Sequence, residues 1–265
     1  MYLRDGATHL LIDPCFTRPK LLSLARRIAP DQITIRRCLE RANITRLDAV
    51  LLSHTHYDHA LDAVLTARET GALLVGTPSA ARLAGGGGLP VESCLRVEED
   101  RAFNFGAFRI TFIQHKHLSL GGGGWLASGA IEKPLVPPAH AWTYREGGVY
   151  AIHCPHSGGR LLVVGSAGMV DFRKLKNLPA GSVCLGIGGL AFKMPAYRRN
   201  YFRGVVKSCG AQQVYLTHWD IFWRSLEREP VYLPLHRFVV RQFEGLAERQ
   251  GKRLQCLQPW QETNI

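Results

Sequence analysis

Short apolar runs bounded by turn residues recur along the chain and predict β-strands. These runs are Thr8–Asp13, Leu47–Leu52, Leu73–Val75, Phe108–Ile113, Val149–His153, Leu161–Val164, Val183–Ile187 and Val214–Thr217. Between the early runs, apolar residues at helical spacing predict helices over Ile33–Asn43 and Ala60–Glu69, and Gly71 is placed to end the second one. This order is typical of an α/β fold, in which side chains at the carboxyl ends of strands form the site.

Glycine and proline mark the breaks between these elements. Thr77-Pro78-Ser79 predicts the start of another helix, whereas Ala84–Gly88 and Gly121–Gly124 are predicted to be flexible turns, because neither has the order of a phosphate-binding loop. Residues Met1–Gly6 look like the middle of a β-hairpin and lack the order of a signal peptide. We therefore expect a gene product that can begin further upstream, and a cytoplasmic location only provisionally. One domain over residues 1–265 is expected from the length.

The composition is that of an ordinary globular protein. Hydrophobic residues make up 46% and charged residues 20% of the 265, and no apolar run approaches the roughly eighteen residues of a membrane-spanning helix. Thirty-three Lys and Arg against 21 Asp and Glu give a net charge of +12, which favours anionic partners. A small-molecule or lipid-like anionic substrate is expected, and nucleic acid is a less favoured partner. The densest basic group, Tyr197–Arg203, is predicted to be a solvated helix face, with contact to an anion or nucleic acid as the alternative.

The seven cysteines point away from a disulfide framework. They are Cys15, Cys38, Cys94, Cys154, Cys184, Cys209 and Cys256. Their number is odd, they are widely spaced, and no two form a C-x-x-C pair. A cysteine-rich zinc site is therefore not expected either.

Four side chains that bind metals lie within six residues directly after the apolar run Leu47–Leu52. They are His54, His56, Asp58 and His59 in the segment Ser53-His54-Thr55-His56-Tyr57-Asp58-His59. His54 and His56 project to the same side of an extended loop, and Asp58 and His59, round the next turn, can address a second metal. A hydrolytic zinc needs such imidazoles and carboxylates together with one open position for water. The segment therefore predicts a metal centre.

The pattern His54-x-His56-x-Asp58-His59 resembles the H-x-H-x-D-H signature of the metallo-β-lactamase superfamily. The resemblance extends over almost the whole chain, since Leu10-Leu11-Ile12-Asp13-Pro14 is similar to the early strand and turn of that family. It implies an α/β fold arranged as an αββα four-layer sandwich, with two mixed β-sheets flanked by helices. The branch it resembles contains hydrolases similar to ascorbate-phosphate lactonase and to N-acyl-phosphatidylethanolamine phospholipase D.

The resemblance also implies the remaining ligands. His117 fits the third histidine of the first metal site, with His115 as the competing choice, and His218 fits the final ligand. The family carries a bridging Asp after the strand Leu161–Val164, but this chain has Ser166 there. Asp171 could replace the missing carboxylate. A neutral serine hydroxyl does little to offset the repulsion between two nearby divalent cations. We therefore expect one firmly bound zinc on His54, His56 and His117, and a weaker site on Asp58, His59 and His218.

The expected chemistry is attack by a metal-bound hydroxide on a small ester, lactone or phosphoester. Asp58 is the candidate that orients the water or accepts its proton, unless it is tied up as a ligand. Candidate substrate contacts, all adjacent to the expected ligands, are Tyr57, His115, Trp219 and Asp220. Tyr57 and Trp219 could instead pack against the metal loops, and Asp220 could accept from the N–H of a ligand imidazole. The alternatives are a metal-binding protein whose catalysis is lost or altered because of Ser166, and a nuclease favoured by the positive charge.

Overall fold

The computed structural model describes residues 1–99, 101–119 and 127–264, and these form two compact units. Unit 1 comprises the described residues of Met1–Glu98, Gly123–Gly148 and Phe222–Arg228, and unit 2 those of Glu99–Gly122, Val149–Ile221 and Glu229–Ile265. The fold is α/β with sheets flanked by helices, as expected. The Gly121–Gly124 tract lies outside the described residues, and the single domain over 1–265 stays a prediction.

Unit 1 is built on a five-stranded sheet. In spatial order its strands are β1 (Tyr2–Arg4), β2 (His9–Ile12), β4 (Ala49–Leu51), β5 (Leu73–Gly76) and β6 (Cys94–Arg96). Strands β2, β4, β5 and β6 are parallel, while β1 forms the predicted hairpin with β2. A separate two-stranded ribbon pairs β3 (Arg27–Ile28) with β9 (Ala139–His140). Parallel pairing brings the ends of β2 and β4, with the residues that follow them, to the same edge.

Four helices accompany this sheet. They are α1 (Gln32–Arg41), α2 (Tyr57–Ala60), α3 (Ala63–Thr70) and α4 (Pro78–Gly86). The Asp31 side chain caps α1, the Thr77 hydroxyl caps α4, and Gly71 at φ +69° ends α3 as predicted. The helix predicted over Ala60–Glu69 is interrupted at Asp62, whose carboxylate turns away to accept from the amides of Phe16 and Thr17.

The glycine tract after Leu83 is only partly the turn that its composition predicts. Helix α4 continues through Gly85 and Gly86, and a Cβ at Gly86 would lie 2.0 Å from the carbonyl oxygen of Leu135. A Cβ at Gly87 would lie 2.5 Å from Val64 Cγ1. The prediction was wrong for Gly85 and Gly86, which are helical, whereas Gly87 and Gly88 form a turn. Close packing of Gly86 against a segment about fifty residues further along the chain is not visible in the local composition.

The core of unit 1 joins the sheet to its helices. It includes Leu11, Val50 and Leu74 from the strands and Ile35, Leu39 and Ala67 from the helices. The first and third chain segments of the unit also meet at its surface, where Arg37 Nη1 lies 2.7 Å from Glu227 Oε1. Phe222 lies close to Tyr57, with ring centroids 6.3 Å apart. The segment Phe222–Arg228 thus completes a unit that begins two hundred residues earlier.

Unit 2 is built on a seven-stranded mixed sheet. In spatial order its strands are β14 (Arg253–Cys256), β13 (Gln213–Thr217), β12 (Ser182–Gly186), β11 (Gly159–Val164), β10 (Val149–His156), β8 (Phe108–His115) and β7 (Ala102–Phe105). The first four are parallel and the last four pair antiparallel. Its helices are α5 (Phe172–Lys176), α6 (Pro195–Cys209) and α7 (His236–Glu248). One core joins Ile113, Leu162 and Val214 to Phe202 and Phe243.

Two predictions made from composition concern unit 2 and the whole chain. The basic group Tyr197–Arg203 lies in α6, where Tyr201 and Phe202 are buried while Arg199 and Arg203 are exposed. The predicted helix with an exposed basic side is confirmed, and its contact with an anion stays a prediction. Among the described residues, no helix is long and apolar enough to cross a bilayer. All seven cysteines are free thiols.

Candidate metal centre

The histidine-rich loop leaves the carboxyl end of β4 and runs into the short helix α2. His54 and His59 are buried, and their ring centroids lie 3.9 Å apart. His56 is the residue before α2, and its ring stands edge-on to that of His54 at 4.9 Å. The buried strand and the first turn of the helix thus converge three imidazoles on one place in unit 1.

A carboxylate behind this loop anchors two of the imidazoles. Asp13 Oδ2 accepts a hydrogen bond from the Ser53 hydroxyl and lies 2.8 Å from His59 Nδ1, while Asp13 Oδ1 accepts from the Ser53 amide at 2.8 Å. The Ser53 hydroxyl uses its only hydrogen in the bond that it donates to Asp13. It therefore accepts a hydrogen bond from His54 Nδ1, which is 3.0 Å away. One carboxylate therefore fixes both rings with the proton on Nδ1.

This tautomer lets His54 and His59 bind a metal through Nε2. With Nδ1 protonated, the lone pairs of His54 and His59 lie on Nε2, and a carboxylate behind the ring raises the basicity of that nitrogen. Ligand atoms of Asp13, His54 and His59 all lie within 4.8 Å of one another. Burial works against the pKa of His59, but the Asp13 and Asp58 carboxylates outweigh it and raise that pKa. The donor set of unit 1 fits a divalent cation.

His56 and Asp58 complete the motif in unit 1. His56 Nε2 lies 3.1 Å from the Ala127 carbonyl, so Nδ1 is the atom that His56 offers to a metal. Burial lowers the pKa of His56, which favours the neutral form that binds metals. Asp58 Oδ2 lies 3.7 Å from His59 Nε2, next to the atom that would hold a cation. Tyr57 is half-buried against the unit 1 core, and burial raises its pKa.

In unit 2, His117 and Ser166 lie side by side. His117 Nδ1 lies 3.0 Å from the Leu118 carbonyl, so Nε2 is again the atom offered to a metal. The Leu118 amide donates to Ser166 Oγ at 3.1 Å, and Ser166 is buried just after β11. A Cβ at Gly168 would lie 1.7 Å from the Lys116 carbonyl oxygen, so the loop after β11 packs closely on the backbone before His117.

The two competing histidines occupy different places in unit 2. Strand β8 extends two residues beyond its predicted end and includes His115, which lies on the same strand face as Ile113 and the helix-packed core. His115 is buried, and burial lowers its pKa to about 4. His117 is only half-buried and lies in the loop beyond the strand. This placement favours His117 as a ligand, and it removes the His115 side chain from a substrate-facing surface.

The other late residues divide in the same way. His218 follows β13 at φ +56°, and a Cβ at Gly188 would lie 2.8 Å from His218 Nδ1, so only glycine fits beside the ring. Trp219 is buried, donates Nε1–H to the Leu257 carbonyl at 2.9 Å and packs on Tyr232. Trp219 is thus placed for packing, the alternative given for it above, and its contact with substrate stays a prediction.

Two acidic residues of unit 2, Asp220 and Asp171, make contacts that stabilise the local fold. Asp220 is buried, and its backbone forms a bridge with that of Tyr232. Asp171 is exposed and caps α5, where its Oδ1 accepts from the Arg173 amide at 2.9 Å. The Asp171 carboxylate is therefore engaged at a helix end rather than held for a metal bridge.

Asp13 and Ser53 are the functional residues that the sequence reasoning missed. Ile12 pairs with Leu51 in the parallel register of β2 and β4, so the residues after these strands meet at one sheet edge. A usable signal was present, because each of the two apolar runs ends in a polar residue that can hydrogen-bond. Asp13 adopts φ +48°, a left-handed conformation that Asp tolerates better than most residues.

Comparison with known proteins gives the fold, together with a family model that matches part of the chain. The family model described as "Beta-lactamase superfamily domain" matches residues 8–133. Among curated proteins none matches. The structure is similar to Igni18, described as a metallo hydrolase of the archaeon Ignicoccus hospitalis, with a TM-score of 0.60 and 13% identity over 100% of this chain and 93% of that one.

Two further solved structures share the fold. The metallo-beta-lactamase fold protein YhfI of Bacillus subtilis has a TM-score of 0.58 and 13% identity, over 97% of this chain and 88% of that one. CmlA of Streptomyces venezuelae, described as a diiron β-hydroxylase, has a TM-score of 0.60 and 14% identity, and the match covers 100% of this chain and 52% of CmlA. Likenesses at this level of identity define the fold alone.

Proposed function

We propose that this chain, which has the metallo-β-lactamase fold, is a metal-dependent hydrolase of small ester, lactone or phosphoester substrates. The observation that carries the proposal is the Asp13 carboxylate, which holds His54 and His59 as the tautomers with Nε2 available to a cation. Two imidazoles oriented by one carboxylate are the arrangement that supports metal ligands in proteins. A net charge of +12 favours substrates that are anionic.

The proposed ligands follow from the motif and from the nitrogen atom that each ring offers. The first site would use His54, His56 and His117, and the second Asp58, His59 and His218. Because Ser166 offers a neutral hydroxyl that already accepts from the Leu118 amide, we propose one firmly held metal and a weaker second one. Zinc is the proposed metal, and iron is the alternative, since CmlA shares the fold and is described as diiron.

A divalent cation bound there would supply Lewis acidity toward a carbonyl or phosphoryl oxygen and would acidify a water molecule. Asp58 is the proposed general base when the weaker second site is empty, so that its carboxylate is not engaged as a metal ligand. Its carboxylate lies beside His59 Nε2, where it can orient that water and accept its proton at Oδ. Asp13 and Ser53 keep the proton on Nδ1 of both rings, so the lone pairs of His54 and His59 stay on Nε2, the atom proposed to bind the cation.

Metal content per chain, measured by elemental analysis of the purified wild type and of Ser166→Asp, tests the proposal. We expect about one zinc in wild type and about two in the variant. Ser157→Asp is the matched control, since Ser157 is exposed in unit 2, and it should leave the content unchanged. Two tightly held metals already in wild type would refute the role of Ser166, and none would favour a protein without metal chemistry.

A second measurement tests hydrolysis itself. We expect wild type to turn over a generic nitrophenyl ester or phosphodiester, a chelator to abolish turnover, and added zinc to restore it. Asp58→Asn should lower kcat by at least about a hundredfold if the carboxylate accepts the proton. Metal content without any turnover of such substrates would instead favour the metal-binding alternative with lost catalysis.

A further inference from the structure

Four large apolar side chains are exposed where α6 and α7 begin in unit 2. They are Phe192, Met194, Leu235 and Phe238, and they are 68%, 75%, 56% and 63% exposed. Phe192 ends a short 3-10 turn, Leu190–Phe192, and Met194 directly precedes α6. Leu235 precedes α7, and Phe238 lies in its first turn. Single exposed apolar residues are ordinary on protein surfaces, but a group of large ones marks an interaction site.

Two hydrogen bonds bring these four side chains to one surface. His236 Nε2 lies 3.0 Å from the Ile187 carbonyl, and Gln242 Nε2 donates to the Pro195 carbonyl at 3.0 Å. The start of α7 therefore runs alongside residues 187–195. On α7, Phe238 lies between the bonded residues His236 and Gln242. On the other segment, Phe192 and Met194 lie between Ile187 and Pro195. We call the exposed residues of these two segments the α6–α7 surface.

The chain segments that form the α6–α7 surface are rich in cations and poor in carboxylates. No Asp or Glu occurs between Asp171 and Asp220, and none occurs between Glu229 and Glu244. The arginines at its border are exposed, and they are Arg199, Arg203, Arg237 and Arg241. Lys193 adds a fifth cation and lies 5.4 Å from the centre of the Tyr197 ring. A partner that fits here combines an apolar phase with negative charge.

We propose that the α6–α7 surface docks on a lipid bilayer that carries anionic headgroups. Phe, Met and Leu side chains enter the boundary between headgroups and acyl chains, while the surrounding arginines contact lipid phosphates. Aliphatic Met194 and Leu235 offer no flat ring for a nucleobase, so the chemistry favours lipid over RNA. In this proposal the protein lies on the bilayer, held by exposed apolar side chains and by the charge of the surrounding arginines. Docking does not depend on the proposed hydrolysis.

Co-sedimentation with vesicles tests the proposal on the intact chain. One set of vesicles contains phosphatidylcholine alone, and the other contains phosphatidylcholine with phosphatidylglycerol. We expect binding to the anionic vesicles, weakening as salt is raised, and little binding to the neutral ones. An equal affinity for both compositions, or no sedimentation with either, would overturn the proposal.

Paired variants distinguish this surface from general attraction by a positive protein. Phe192→Ser with Phe238→Ser should weaken vesicle binding at least about tenfold, since two aromatic rings leave the boundary region. Its matched control is Leu22→Ser with Val91→Ser, which changes two side chains that are 89% and 87% exposed in unit 1. The control should bind as wild type does.

The charge is tested in the same way. Arg199→Gln with Arg241→Gln should weaken binding about 25-fold, at about fivefold for each cation near the membrane. Arg26→Gln with Arg27→Gln removes two exposed arginines of unit 1 and should have far less effect. If both arginine pairs weaken binding equally, or if an RNA oligonucleotide binds through this surface while vesicles do not, the proposal fails.

Discussion

Replacing Asp13 by Asn tests the anchoring of the imidazoles most directly. The left-handed backbone at φ +48° suits Asn as well as Asp, so the chain path should survive. The amide cannot satisfy its neighbours, however. Asp13 Oδ1 accepts from the Ser53 amide, so the Asn oxygen would take that position and its NH₂ would face the Ser53 hydroxyl and His59 Nδ1. The NH₂ group of the Asn, itself a donor, would then face two other donors, the Ser53 hydroxyl and the His59 Nδ1–H.

The cost follows from the tautomers. His59 can relieve the conflict by moving its proton from Nδ1 to Nε2, but that removes the lone pair that would hold the metal. Loss of such a supporting carboxylate weakens metal binding by about 10- to 100-fold, or about 1.4 to 2.8 kcal/mol. Ser53→Ala breaks only the link to His54 and leaves the Asp13 contact to His59 in place. We therefore expect a smaller loss in Ser53→Ala.

Metal affinity is measured by competition with a chelating indicator at neutral pH. Asp48→Asn is the matched control, because the Asp48 carboxylate accepts from the His9 amide in the same unit and contacts no ring of the motif. The control should bind metal as wild type does. Unchanged affinity in Asp13→Asn, or an equal loss in Asp48→Asn, would refute the role assigned to this carboxylate.

Two further predictions concern stability, measured by urea unfolding. Gly86→Ala should destabilise by about 1 to 3 kcal/mol, because its Cβ would meet the Leu135 carbonyl at 2.0 Å, whereas Gly85→Ala, with nothing within 4 Å of its Cβ, should stabilise by about 0.5 to 1 kcal/mol; equal effects would contradict the packing argument. Burial raises the pKa of Asp62 from 3.8 to about 7. Its contribution to the free energy of unfolding is therefore fully present below pH 3.8 and is lost as the pH rises to about 7, by up to about 4 kcal/mol. Asp62→Asn keeps an oxygen for the Phe16 amide and should flatten this decline, and an unchanged pH profile would show that Asp62 does not cause it.

Most strands could be predicted from the sequence because burial leaves a local mark. The apolar run Leu47–Leu52 contains β4 and is followed directly by the histidine motif. The run Leu161–Val164 ends at the same residue as β11. The capping residues Thr77 and Gly71 were also readable, since caps depend on neighbours within one turn. Local chemistry was sufficient for these elements.

Contacts distant in sequence were not predictable in this way. Gly86 belongs to a helix because Leu135 packs against it, and Asp13 supports the motif because β2 pairs beside β4 forty residues later. The choice between His115 and His117 turned on where β8 ends, and strand ends depend on tertiary pairing more than on local composition.

The interrupted chain path of unit 1 delays its completion during synthesis on the ribosome. Phe222–Arg228 belongs to this unit, and Glu227 pairs with Arg37, yet these residues are made after most of unit 2. At about 5 to 20 residues per second, the five-stranded sheet of unit 1 waits several seconds or longer for the last segment of its unit. The nascent chain, rather than the finished protein, is therefore the form most exposed to aggregation and most dependent on chaperones.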